Sequence, residues 1–380
     1  MMDPQALLAY CEAELEALVH CLRQAVEIES PSLNKPAIDR MANFCAEEFH
    51  KRGGNVRLLD HPMAGSAVLA EFWGSAAGAK PILLLGHTDT VWEVGTLASM
   101  PFDRRDDRAY GPGIFDMKSG IVCGLFALQA LAAQNVAPSC PVRFFLNPDE
   151  EVSSTAFREE LLAEAQRARA VLVLEPAAAM GALKTARKGV GEFQITVRGR
   201  SAHAGINPAA GVNAISELAR QIPRIEKLAR PKRGLTVNVD VIQGGTRVNV
   251  IPEVAVARVD VRVPTARDSN TIEARMRVLS PIHPEARLEI TGGVNRPPME
   301  RKMASALFRK ARELGSRMGL EVKEAATGGG SDGNFTSALG IPTLDGLGGC
   351  GDGAHARHEH VIVPELPRRA ALLAALIASL

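Results

Sequence analysis

The chain has 380 residues, with 44 Lys and Arg against 43 Asp and Glu, a formal net charge of +1, 46% hydrophobic residues and only 4% aromatic ones. That balance is a globular one, argues against nucleic acid or an anionic membrane surface as partner, and leaves no aromatic platform for stacking bases or sugars. The length favours two domains.

The first helical periodicity runs over about 5–29 and the second over 37–52. The opening segment lacks the basic region and small-residue cleavage site of a signal peptide, and no stretch reads as long and apolar enough to span a bilayer. Six cysteines stand singly, without CxxC spacing. Free thiols in a reducing compartment follow, so the expected location is cytoplasmic.

An apolar strand at 81–87 leads into His87-Thr88-Asp89, and a helix at about 117–134 follows the turn GPGIFDMKSG. A second buried strand at 141–148 ends in Asp149-Glu150-Glu151. After a helix at about 154–166, a third strand at 170–176 closes on Glu175. Short apolar strands alternating with helices define an α/β domain with a mostly parallel sheet flanked by helices. Its ligand belongs beyond the carboxyl ends of the strands, where His87, Asp89, Glu150, Glu151 and Glu175 all fall.

From about 184 to 296 the strands alternate in polarity, and helices at about 211–228 and 268–279 separate them. The order strand–helix–strand–strand–helix–strand is that of an inserted ferredoxin-like α+β domain. The α/β style resumes with a helix at about 299–317, a Gly-rich turn at 328–330 and a last helix at about 364–380. The division is therefore 1–183 and 297–380 for a catalytic domain, and 184–296 for a lid.

Each chemical signal is ambiguous by itself. His87 and Asp89 suit a metal ligand and the group that orients it, or a surface cap. Asp116, before a helix, is equally placed as an N-cap. Consecutive acids at the end of a buried strand need a partner or a metal, unless the loop is solvated. His355, His358 and His360 lie in one Gly-rich segment. Together these residues offer imidazoles and carboxylates for two metal ions with one carboxylate shared, a donor set suited to zinc, with cobalt or manganese as substitutes. An acid that binds no metal remains for general-base work.

The motifs LLLGHTDTV, YGPGIFDMKSG, NPDEEVSS, LEP, SAHAGINPAAGVNAI, GGTRVNVIPE, VDVRVP, GGGSDGNF and GAHARHEHV resemble, in order, those of the M20 metallopeptidase family, most closely its glutamate carboxypeptidases. The resemblance covers roughly residues 80–362. It implies two Zn2+ per subunit, held by His87, Asp116 as the bridge, Glu151, Glu175 and His355, with a cis peptide bond common after the bridging aspartate. Glu150 is implied as general base and Asp89 as the group orienting His87. The pattern H-x-x-x-E-x-V selects His355, with Glu359 and Val361, over His358.

In the lid, His203 resembles the histidine that stabilises the oxyanion in a partner subunit's active site, with Asn249 beside it. Arg262, Gly329, Gly330 and Ser331 are implied in binding the substrate carboxylate; Arg187 and Arg296 are weaker candidates for a second acidic group. The expected activity is hydrolysis of an amide next to a free carboxylate, releasing C-terminal glutamate or a similar amino acid from a small molecule or short peptide, in a homodimer formed through the lid. The alternatives are an N-acyl-amino-acid deacylase, a dipeptidase, an aminopeptidase on the same two-metal core, or a silent metal-binding protein.

Overall fold

The computed structural model describes residues 2–76 and 78–380. The chain divides into two compact units, one of 1–186, 301–327 and 331–380, the other of 187–300 with 328–330.

In the first unit the strand Ile82–His87 is buried along its whole length, as a run of Ile and Leu without alternation requires. It lies between Val142–Asn147 and Ala170–Val173, parallel to both. Thr343–Leu344 extends the parallel part beyond Ala170–Val173. On the other side Ala67–Phe72 runs antiparallel to Val142–Asn147 and carries Asn55–Leu59 at the edge. The sheet is thus mixed, mostly parallel, and those two strands are additions to the expected set. His87 is in register with Asn147, so His87 and the acids that follow Asn147 emerge at the same sheet end.

The periodicity over 5–29 resolves into two helices, Pro4–Ala13 and Leu15–Val26, because the backbone leaves helical geometry at Glu14. The helix expected at 117–134 begins later, at Ser119, and runs to Ala133. Before it, 114–118 form a wide turn in which Asp116 and Met117 have non-helical backbone angles and the peptide bond between them is cis. Asp116 is therefore no N-cap. Together, Ile114–Ala133 make a segment long and apolar enough by composition to cross a membrane, contrary to the sequence expectation; its most apolar 18-residue stretch has mean hydropathy 1.4 and is 89% buried inside the protein. Its apolarity serves the protein's own core. The helix expected from 154 begins at Arg158, since 149–154 fold as a tight turn instead.

The second unit has the antiparallel order Thr236–Gly244, Val254–Val263, Gly189–Arg198, Arg287–Arg296, the ferredoxin-like arrangement. Phe193, Ile195, Val197, Ala255, Ala257 and Val259 on one sheet face pack with Leu218 and Ile225 of the helix Ala214–Glu226, and with Ile272 and Met276 of Ala266–Arg277. Both helices are capped by side chains, Asn213 accepting from Ser216 N at 3.0 Å and Thr265 from Asp268 N at 3.1 Å.

Candidate metal centre

Beside the strand ends of the first unit lie two imidazoles, of His87 and His355, and five carboxylates, of Asp89, Asp116, Glu150, Glu151 and Glu175. His87 is 2% exposed; its Nδ1 lies 2.9 Å from the Asp89 carbonyl oxygen and 3.3 Å from Asp89 Oδ1. An Nδ1–H donated there leaves Nε2 as a lone-pair donor. Nε2 faces Asp116 Oδ1 at 3.3 Å and Glu175 Oε1 at 3.6 Å. The other oxygen of Asp116 faces His355 Nε2 at 3.5 Å, and Glu151 Oε1 lies 3.1 Å from that same nitrogen. Asp116 thus presents one oxygen to each imidazole. Atoms of Glu150, His87 and Glu175 also fall within 4.8 Å of one another.

These spacings are those of atoms that share a metal ion. Two ligand atoms each 2.0–2.1 Å from a tetrahedral ion are about 3.3–3.4 Å apart. The four imidazole–carboxylate separations of 3.1 to 3.6 Å cluster around that edge length. The N and O donors are those of zinc and its first-row neighbours. The residues fit a pair of divalent cations sharing Asp116.

Electrostatics agree. Hydrogen bonds to Asp116 and Glu151 raise the pKa of His355 to about 10. Burial alone would lower that of His87, but the Asp116 and Asp89 carboxylates outweigh it and hold it well above the usual imidazole value. Burial would raise the pKa of Asp116; its bonds to His355 and His87 reverse this and hold it far below the usual range. The cluster draws positive charge, as a cation site must.

Asp89 does more than orient a ring. Its carboxylate, 1% exposed, accepts from Glu150 N at 3.1 Å, Glu151 N at 3.0 Å and Ser32 Oγ at 2.7 Å. It therefore anchors the turn carrying both glutamates. Ser32 escaped the sequence reading because it comes from a loop 57 residues upstream of Asp89. Lys118 was also missed: buried, it donates to Ile28 O at 2.7 Å, and burial pushes its pKa down to about 8. His358 stays outside the cluster, exposed, and His360 tilts against the Tyr110 ring.

In the second unit His203 lies on a short strand paired with Val250–Ile251, next to Asn249, whose carbonyl accepts from Ala204 N at 3.0 Å. His203 Nδ1 accepts from Gly205 N and Ile206 N, at 3.1 and 3.0 Å, which leaves Nε2 to carry the proton outward. Arg262 is partly exposed and gives only Nε to Asp260, at 3.0 Å to each carboxylate oxygen. Arg187 is buried and donates to the carbonyls of Gly329 and Gly330 at 3.2 and 3.1 Å, so it shapes the Gly-rich turn. Arg296 is likewise buried. Ser331, in the first unit, departs from its expected part: it is fully buried, with its N–H on Asn334 Oδ1 at 2.9 Å and its hydroxyl on Asp345 Oδ2 at 2.6 Å. Both its donors are committed inside the protein.

A centre built of imidazoles and carboxylates beside the strand ends is a candidate site for divalent metal ions. Residues 83–379 match the model of peptidase family M20/M25/M40, and the chain belongs to that family of metallopeptidases and amidohydrolases. It is 30% identical to carboxypeptidase G2 of Pseudomonas sp. (strain RS-16), over 97% of this chain and 90% of that one. It is 32% identical to acetylornithine deacetylase of Myxococcus xanthus, over 63% of this chain and 64% of the other. Among solved structures, a dinuclear metal-binding M20 peptidase of Bacillus subtilis, the YXEP protein, superposes with a TM-score of 0.73 at 16% identity, covering 97% of this chain and 98% of its own.

Proposed function

We propose that the chain is a carboxypeptidase that uses two divalent cations, zinc by preference, to release a C-terminal glutamate or similar amino acid from a peptide or N-acyl group. The observation that carries the two-ion part is Asp116, with one oxygen toward His87 and the other toward His355. His87 and Glu175 would hold one ion, His355 and Glu151 the other. Two such ions, when bound, acidify water and polarise the scissile carbonyl. Glu150 takes the proton of the attacking water and delivers it to the leaving nitrogen, the role left to an acid that is not needed as ligand. His203, with Nε2–H turned outward, stabilises the charge developing on the carbonyl oxygen.

Arg262 reads the free carboxylate. Its terminal guanidinium nitrogens carry no protein hydrogen bond among the described residues, whereas Nε is fixed by Asp260, so the fork is both oriented and available. The Gly329–Gly330 turn, held by Arg187, adds backbone N–H groups. A homodimer through the second unit fits its edge strand Thr236–Gly244, where Val241 and Ile242 are exposed, and the fully exposed Val248 nearby.

The test is a metal-loaded screen of N-acyl-glutamates against N-acetylornithine and simple dipeptides. Fastest turnover on the glutamate series supports the assignment; preference for N-acetylornithine replaces it with the deacylase reading that the Myxococcus relative favours. Glu150→Ala keeping its metal but losing nearly all turnover supports the base, and normal turnover overturns it.

A further inference from the structure

We propose that Glu359 is a positioning residue that locks the segments bearing His87, Asp116 and His355 into one frame and so sets the affinity of the metal pair. The inference rests on the two-ion reading above but concerns a carboxylate that binds no ion. Glu359 is fully buried. Its Oε1 accepts from Phe115 N at 2.9 Å and Asp116 N at 3.0 Å; its Oε2 accepts from Gly113 N at 2.9 Å and from Trp92 Nε1 at 2.8 Å. Three main-chain donors thus belong to the turn that presents Asp116, and one side-chain donor to the loop that follows His87 and Asp89.

Glu359 itself closes the segment that carries His355. Its N–H donates to Ala356 O at 2.9 Å, and Ala356 N donates to Gly353 O at 2.8 Å, so 353–359 is two successive hydrogen-bonded turns sharing Ala356. His355 is held there at a left-handed φ of 62°. The single carboxylate therefore joins all three ligand-bearing segments. None of its four donors can be served by an apolar replacement. A glutamine would set an amide NH2 against two of them, since a carboxylate accepts at both ends and an amide at one. Groups that orient ligands from behind typically change metal affinity 10- to 100-fold when replaced.

The experiment is a Zn2+ titration of the full chain against a chromophoric chelator, for the wild type and Glu359→Gln, with thermal melting of the metal-free forms. The second readout is indole emission. The chain has two tryptophans, Trp73 and Trp92. In a Trp73→Phe background only Trp92 reports, and its emission should change on loading through the bond to Glu359. Glu359→Gln is expected to weaken binding at least 10-fold and to abolish that emission change. Wild-type affinity together with an intact emission response overturns the proposal. Where Glu359→Gln does not fold, Trp92→Phe, which removes one of the four bonds, decides: affinity weakened several-fold with unchanged metal-free melting supports positioning, and unchanged affinity overturns it. A wild type that binds only one ion per chain defeats the two-ion reading instead, and is thereby distinguishable.

Discussion

Gly120 offers a sharp stability test, because a single methyl group there must displace a segment that bears a candidate ligand. Gly120 sits in the first turn of Ser119–Ala133, and a Cβ built on it would lie 1.9 Å from Leu174 O. The obstacle is a main-chain carbonyl, which cannot rotate away. Gly348 crowds the same oxygen, its own virtual Cβ 2.2 Å from it and 3.1 Å from Gly120 Cα, and Leu174 N is tied to Leu85 O at 2.8 Å. Relief requires roughly 1 Å of movement of either the helix or the Leu174–Glu175 peptide, in a close-packed interior that yields little. Overpacking of this kind costs about 1–3 kcal/mol and at times more. Taking ~3 kcal/mol and an unfolding entropy of about 2 cal/mol/K per residue, Gly120→Ala should lower Tm by roughly 4 °C. Glu175 would move with the peptide, so bound metal should fall as well. Differential scanning calorimetry with metal analysis of the dialysed protein checks both. A variant that melts within 1 °C of wild type and keeps its metal would show that the helix contact is slack and the reasoning false.

Four further outcomes are expected. Arg262→Lys, which keeps the charge but loses the fork, should raise KM roughly 10- to 100-fold with kcat little changed, the loss of one charge-assisted hydrogen-bond pair; unchanged KM on a glutamate substrate refutes the assignment. Burial alone would push the Glu217 pKa up, but Ile282 N, Gln221 Nε2 and His283 N outweigh it and hold it below the usual carboxylate range. Its stabilisation is therefore present above the unfolded value near 4.5 and lost as pH falls through the lowered folded value, so denaturant unfolding of Glu217→Gln should have a flatter acid limb than wild type. Burial, with nearby Glu12 and Glu14, pushes the Cys11 thiol up to about 12, and burial with Glu48 does so for Cys21. An unfolded thiol ionises near 9, so these groups make the fold lose stability as pH rises from about 9 toward 12. All six cysteines are buried, and a thiol reagent should label none in the native protein at pH 8 and six after denaturation.

The gathering of candidate residues was legible because parallel-sheet geometry acts locally: a buried apolar run predicts where a strand ends, and the polar residues just past it meet at one sheet edge. In their placement, His87, Asp89, Glu150, Glu151 and Glu175 follow from that rule alone. Asp116 and His355 do not, since neither ends a strand of the main sheet, and they were selected through motif resemblance. Hydrophobic periodicity misplaced the start of the helix at Ser119 for a specific reason. The apolar residues Ile114, Phe115 and Met117 continue the pattern of the helix, yet the backbone at Asp116 is extended so that its two oxygens diverge toward two imidazoles.

What stayed hidden is the support. Ser32 reaches Asp89, Gly120 meets Leu174, and Glu359 collects N–H groups from 113–116, each across a separation in sequence that no local pattern encodes. Glu359 was visible only as a marker four residues after His355; its partners become identifiable once the chain is folded. Ser331 shows how the fold allocates donors. The N–H groups of a Gly-rich turn read as able to approach a substrate carboxylate, but in the fold the Ser331 N–H is given to Asn334 and its hydroxyl to Asp345. Residue type and spacing therefore identify candidate donors to a site, whereas the allocation of each donor is decided by the folded neighbourhood. On that ground the proposed carboxylate reader is Arg262, whose terminal nitrogens carry no protein hydrogen bond among the described residues, and the Arg262→Lys measurement tests that proposal directly.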